Sequence, residues 1–109
     1  MKLINSYHHW LEVVEKESAL LLFVKTTNCS VCEGLYPQIE NLQKEVEIPF
    51  YVVNAAEVPE MAGQLSLYTA PVVLFYKNKK EYQRYARFVK TDDVRRILKE
   101  LNDMENYHD

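Results

Sequence analysis

The chain has 109 residues, 48% of them apolar and 27% charged, with a formal net charge of −3; this is one domain's worth of ordinary globular composition and excludes intrinsic disorder. It holds only two glycines (Gly34, Gly63) and two cysteines (Cys29, Cys32), where average usage would supply roughly seven or eight glycines. A glycine-rich phosphate loop or dinucleotide fingerprint is therefore excluded by supply, and a disulfide-dense secreted scaffold by the cysteine count.

Thirteen basic residues against sixteen acidic ones leave no net footprint for a nucleic acid. The basic strip at Lys77, Lys79, Lys80, Arg84 and Arg87 reads as a solvated hairpin. Residues Met1 to His9 contain no apolar run of about 7–15 residues and no small-residue cleavage site, so no signal peptide is expected. The longest apolar stretch, Ala19–Val24, has six residues, far short of the roughly 20 that cross a bilayer. A cytoplasmic protein with no membrane partner is expected. Thiols stay reduced there, which disfavours a permanent structural disulfide and leaves a reactive dithiol or a metal half-site as the open question.

In chain order, a short strand at Lys2–Ile4 precedes a helix over about 6–17. Tyr7, Trp10, Leu11, Val13 and Val14 supply its apolar spacing, and Ser6 is a plausible N-cap. Residues 19–26 form a continuous apolar run ending in threonines, which suits a strand covered on both faces. Val31, Leu35, Ile39, Leu42 and Val46 mark a helix over about 30–46, which Pro37 should kink. Residues 50–54 read as a second buried strand, and Pro59 can open a short helix over Glu60–Leu65. A third strand at 71–76 begins with proline, where a missing N–H does least harm. The turn at Lys77–Lys80 lacks glycine, and Asn78 is the residue best able to take a positive φ. A fourth strand at 81–88 runs back antiparallel. Thr91 then caps a final helix carrying Val94, Ile97, Leu98 and Leu101 on one face. No repeat, linker or composition shift divides the chain, so residues 1–109 form a single domain. Strands alternating with helices predict an α/β fold whose parallel core gains an antiparallel edge from the closing hairpin.

The chemistry-bearing motif is Asn28-Cys29-Ser30-Val31-Cys32, where a buried strand ends and a helix begins. The first amides of a helix lack intrahelical partners and, with the macrodipole, stabilise negative charge. A thiolate is the nucleophile, and its pKa falls in this setting. The three-residue offset puts both sulfurs on one helix face, close enough to join in a small disulfide. The Ser30 hydroxyl could add a donor. A closed zinc site would need four ligands; the histidines that could complete one, His8, His9 and His108, lie on the first helix and the C-terminal tail, and no metal is expected.

The chain resembles the thioredoxin family over nearly its whole length. The resemblance rests on the strand that runs into Cys29–Cys32, on Pro37 eight residues after Cys29, on the order of elements, on Ala70-Pro71 opening the third strand, and on the closing hairpin and helix. It implies a thioredoxin fold, a central four- to five-stranded mixed sheet with helices on both faces. It implies that Cys29 attacks, Cys32 resolves, and Pro71, after a cis bond, shapes a substrate groove with Asn28, Ala70 and Arg87. No bound cofactor is implied, since the dithiol itself carries the electrons.

The motif departs from the family's W-C-G-P-C. Asn28 stands for the tryptophan, and Ser30 and Val31 for the glycine and proline. The family's buried aspartate, six residues before the first cysteine, corresponds to Phe23, and its lysine partner to Val52. Losing both charges together is energetically coherent, because either one buried alone would be costly. A groove glycine falls at Arg87, which would crowd or charge the substrate surface. Glu33 opposes thiolate formation at the dithiol, and Lys25 could offset it.

The function expected is thiol–disulfide exchange through Cys29 and Cys32, in the reducing direction. Its partners would be protein or small-molecule disulfides and an external reductase or low-molecular-weight thiol. The rivals are a binding module or redox sensor with little turnover. Among other residues, Trp10 reads as a core anchor, Glu57 and Glu60 as carboxylates flanking a helix start, and Tyr76, Tyr82, Tyr85 and Phe88 as hairpin aromatics split between core and surface.

Overall fold

The six apolar residues Ala19–Val24 dictate the architecture, because alternate side chains on a strand point to opposite faces. Ala19, Leu21 and Phe23 enter one hydrophobic core and Leu20, Leu22 and Val24 the other, and all are buried. Such a strand is stable only between two layers of helices. Burying each leucine or phenylalanine contributes about 2 kcal/mol.

The computed structural model describes residues 1–107; His108 lies outside them. The chain runs β1 (Lys2–Leu3), α1 (Tyr7–Lys16), β2 (Ala19–Lys25), α2 (Ser30–Asn41), β3 (Phe50–Asn54), α3 (Pro59–Gln64), β4 (Val72–Lys77), β5 (Lys80–Ala86) and α4 (Thr91–Glu105). The five strands form one sheet in the order β1-β3-β2-β4-β5. The first three are mutually parallel, and β4 and β5 add two antiparallel pairings. Leu35, Ile39, Val94, Ile97, Leu98 and Leu101 from α2 and α4 cover one face; Trp10, Val13 and Met61 from α1 and α3 cover the other. Trp10 is the expected anchor and stands edge-on to Tyr76, with centroids 5.0 Å apart. The mixed α/β sheet with helices on both faces is the fold expected from the sequence.

Several boundaries differ. The helix expected over 30–46 stops at Asn41 and tightens into a 3-10 turn over Leu42–Glu45, a common way for terminal carbonyls to find partners. Val46 therefore packs on the core from extended backbone rather than from the helical stripe. Thr91 is not the cap of the last helix. Lys90 occupies that position without a side-chain hydrogen bond, and the Thr91 hydroxyl instead donates to Gln38 Oε1 at 2.9 Å. Asp92 and Asp93 supply the favourable charge in that first turn. Ser6 does cap α1, accepting from the His9 amide at 3.0 Å.

Neither glycine adopts a positive φ; Asn28, Ser66, Asn78, Lys79 and Arg87 do so instead. Asn78 and Lys79, at φ 51° and 70°, form the two-residue turn between β4 and β5 in the sense that matches strand twist. The last strand ends at Ala86, not 88, because Arg87 turns left-handed at φ 66°. The basic strip is largely paired: Lys77 with Glu105, Lys79 with Glu15 at 2.7 Å, and Arg84 with Glu81 at 2.7 Å. Among the described residues, no helix is long and apolar enough to cross a membrane.

Candidate active site

Strand β2 delivers the dithiol to the end of the sheet where β4 begins and β5 ends, since Val24 pairs with Val72 and Val72 with Ala86. Asn28 reverses the chain at φ 57°, a conformation asparagine tolerates better than most residues. Cys29 then occupies the N-cap of α2, and its Sγ accepts from the Cys32 amide at 3.2 Å. The two cysteines, with Cα atoms 5.2 Å apart, are joined as a disulfide, the oxidised form of the pair anticipated from the spacing. Cys29 is half-buried, whereas Cys32 is only 2% exposed. Cys29 is therefore the more accessible of the two. When the bond opens, the amide that caps Cys29 Sγ faces a thiolate and stabilises it.

The motif's inner residues lie outward. Ser30 is exposed and forms no hydrogen bond to either sulfur, and Val31 is 61% exposed. Under the dithiol, Phe23 and Val52 are register partners on β2 and β3, both buried in the α2 and α4 core. Tyr36 stands edge-on to Phe23, with ring centroids 5.5 Å apart. The core behind the site thus contains aromatic and aliphatic groups at these two register positions. Burial, then the neighbouring Glu40 carboxylate, raises the Tyr36 phenol above its ordinary pKa, so it stays protonated at neutral pH.

On the β4–β5 side, the Ala70–Pro71 bond is cis and Pro71 is buried. The Arg87 amide donates to the Pro71 carbonyl at 2.9 Å, which ties the end of β5 to the start of β4. The side chains of Tyr68 and Phe88 are 81% and 88% exposed near this rim. Asn28, Ala70, Pro71 and Arg87 thus lie at the same end of the sheet as the cysteines.

On the β3 side lies a cleft of about 450 Å³, lined by Lys25, Thr26, Thr27, Asn28, Cys29, Cys32, Glu33, Tyr36, Asn54 and Glu57. Lys25 and Glu33 were expected from the sequence as charges near the dithiol, but the cleft was not. Glu57, taken as a helix-start carboxylate, is part of the cleft wall. The missed signal was the parallel register of β2 on β3, which sets Lys25 beside Asn54. The histidines on α1 lie elsewhere: His8 pairs with Glu12 at 3.6 Å, and His9 caps back toward the Asn5 amide.

Comparison with known proteins agrees with this geometry. The thioredoxin family model matches residues 2–100. Thioredoxin-like protein YdfQ of Bacillus subtilis is 28% identical over 105 residues, 93% of this chain and 94% of that one. The chloroplastic M-type thioredoxin of Spinacia oleracea is 35% identical over 72 residues, covering 63% of this chain and 40% of that one. In overall fold the chain is similar to Fasciola hepatica thioredoxin, at TM-score 0.84 and 21% identity over 92% of this chain and 98% of that one. Plasmodium falciparum thioredoxin is similar at TM-score 0.85 and 16% identity, with the same coverage.

Proposed function

The chain belongs to the thioredoxin family, and from that premise we propose that it is a thiol–disulfide oxidoreductase that works in the reducing direction. The Cys29 thiolate attacks a substrate disulfide and forms a mixed disulfide. Cys32 then displaces the reduced product and closes the Cys29–Cys32 bond. The observation that carries this reading is the asymmetry of the pair. Cys29 is reachable and capped by the Cys32 amide at 3.2 Å, while Cys32 is covered. Protein or small-molecule disulfides are the substrates, and a reductase or a low-molecular-weight thiol restores the dithiol. Asn28, Ala70, Pro71 and Arg87 shape the surface a protein substrate meets.

Phe23 and Val52 favour a second reading, a binding or redox-sensing module with little turnover. With no buried acid beside Cys32, its proton must leave by water, so resolution of the mixed disulfide is slow. Insulin reduction with dithiothreitol, run beside a W-C-G-P-C thioredoxin, separates the two. Exchange slower than the reference by about tenfold, with a mixed disulfide trapped by Cys32→Ser, supports the oxidoreductase. Absence of both turnover and trapped adduct supports the module. A rate equal to the reference overturns the role given to Phe23 and Val52.

A further inference from the structure

The cleft on the β3 side carries charges of both signs. Among the described residues, Lys25, Glu33 and Glu57 form no ion pair, although most cations around β5 do. One wall is held rigidly. Asn54 Oδ1 accepts from the Ala56 amide at 2.9 Å, and its Nδ2 donates to Glu57 Oε1 at 3.1 Å and to Thr27 Oγ1 at 3.3 Å. The Lys25 carbonyl accepts from the Ala55 amide at 2.9 Å, so the backbone carrying the ammonium is fixed to the same wall. Lys25 is only half-exposed, which strengthens its attraction for an anion relative to a fully solvated lysine. The volume, about 450 Å³, lies within the roughly 300–1,000 Å³ of small-molecule sites and is far too small for a folded protein. Cys29 and Cys32 are both among the residues that line it.

We infer that this cleft seats a small zwitterionic thiol, one bearing both a carboxylate and an ammonium, together with its disulfide, as the exchange partner of Cys29. The inference rests on the oxidoreductase reading above. Lys25 takes the carboxylate, Glu57 and Glu33 take the ammonium, and the ligand sulfur meets Cys29. A neutral ligand brings none of the three a counter-ion; a purely anionic or cationic one serves only one kind. The chemistry balances as an exchange of two electrons. The Cys29 thiolate attacks RSSR, forming Cys29–S–SR and releasing RS⁻, which takes a proton from water. Cys32 gives its proton to water and attacks Cys29 Sγ, releasing the second RS⁻. Two RSH molecules run the same steps backward and restore the dithiol.

The test compares disulfides of similar size and different charge: cystine, cystamine, 3,3′-dithiodipropionate and 2-hydroxyethyl disulfide. The pre-reduced 109-residue chain is mixed with each, and every rate is divided by that disulfide's rate with dithiothreitol to remove intrinsic reactivity. Cystine is expected to lead hydroxyethyl disulfide by about tenfold. The cystine-to-hydroxyethyl ratio should fall about fivefold in Lys25→Met, the size of one partly exposed ion pair, and by a similar factor in Glu57→Gln. Cystamine should lose ground in Glu57→Gln only, and dithiodipropionate in Lys25→Met only. Equal normalised rates, or ratios unmoved in both variants, overturn the cleft while leaving the exchange reading intact. Amide shifts in the Cys29→Ser/Cys32→Ser variant titrated with cystine report occupancy without turnover. Saturable shifts at Lys25, Asn54 and Glu57 support the site even if exchange fails, and their absence overturns it.

Discussion

The two sides of the dithiol are built from opposite materials. Toward β3, Cys29 and Cys32 border a cleft with Lys25, Glu33, Asn54 and Glu57 on its walls. Toward β4 and β5, the surroundings are an open rim with Pro71, Arg87 and the exposed rings of Tyr68 and Phe88. A concave, charged, preorganised surface suits a small ligand; an open surface with protruding rings suits a polypeptide. One reactive pair thus has two approaches of different size and chemistry, and substitutions on one side should leave the other's substrates alone.

The largest effect is expected beneath the cleft. Phe23→Asp puts a carboxylate into the α2 and α4 core beside Val52 and Tyr36. It should lower unfolding stability by about 3–5 kcal/mol, by cavity formation and an unpaired buried charge. Phe23→Asp/Val52→Lys places the charges on register partners and should recover at least about 1 kcal/mol of that loss, measured by urea unfolding. If the double variant is no more stable than the single one, the two positions are not coupled.

An intermediate effect is expected at the rim. Arg87 is held at φ 66°, where a side chain costs about 1–2 kcal/mol relative to glycine in a left-handed helix. The greater chain entropy of glycine offsets part of that. Arg87→Gly should raise stability by about 0.5–1 kcal/mol and speed insulin reduction several-fold by clearing the surface beside Pro71. The cystine rate should not change. A parallel gain for cystine would dissolve the distinction between the two sides.

The smallest effect comes from neither side. At the far end of the sheet Glu105 receives hydrogen bonds from Lys77 and Ser18. Burial alone would raise its carboxyl, but those hydrogen bonds and the Lys77 charge hold it below the ordinary 4.5. A depressed folded value means the contribution is whole above the unfolded pKa and is lost as pH falls through the folded one. Glu105→Gln should therefore cost about 0.3–0.5 kcal/mol at neutral pH. It should also flatten the fall of Tm below pH 4.5 without altering the charge preference among small disulfides. A changed preference would mean the two ends of the sheet communicate.

The dithiol was legible because its signal is local. Three residues of spacing, a preceding apolar run and a following helical stripe are all contiguous. The apolar run over Ala19–Val24 told its own burial on both faces, and the shortage of glycine foretold that Asn78 would make the hairpin turn. Caps and helix ends were less legible. Thr91 finds its partner in Gln38, 53 residues away, and the helix over 30–46 tightens at Leu42.

The sequence by itself determined the reactive pair, the strand that presents it and the apolar nature of Phe23 and Val52 beneath it. Each follows from residue type and near-neighbour periodicity. Only the tertiary structure decided which side of that pair carries the cleft. Lys25 and the segment from Asn54 to Glu57 come from separate stretches of chain and meet because β2 lies parallel to β3 with Lys25 against Asn54. The physical reason is that strand pairing supplies a free energy that no short stretch of this chain contains.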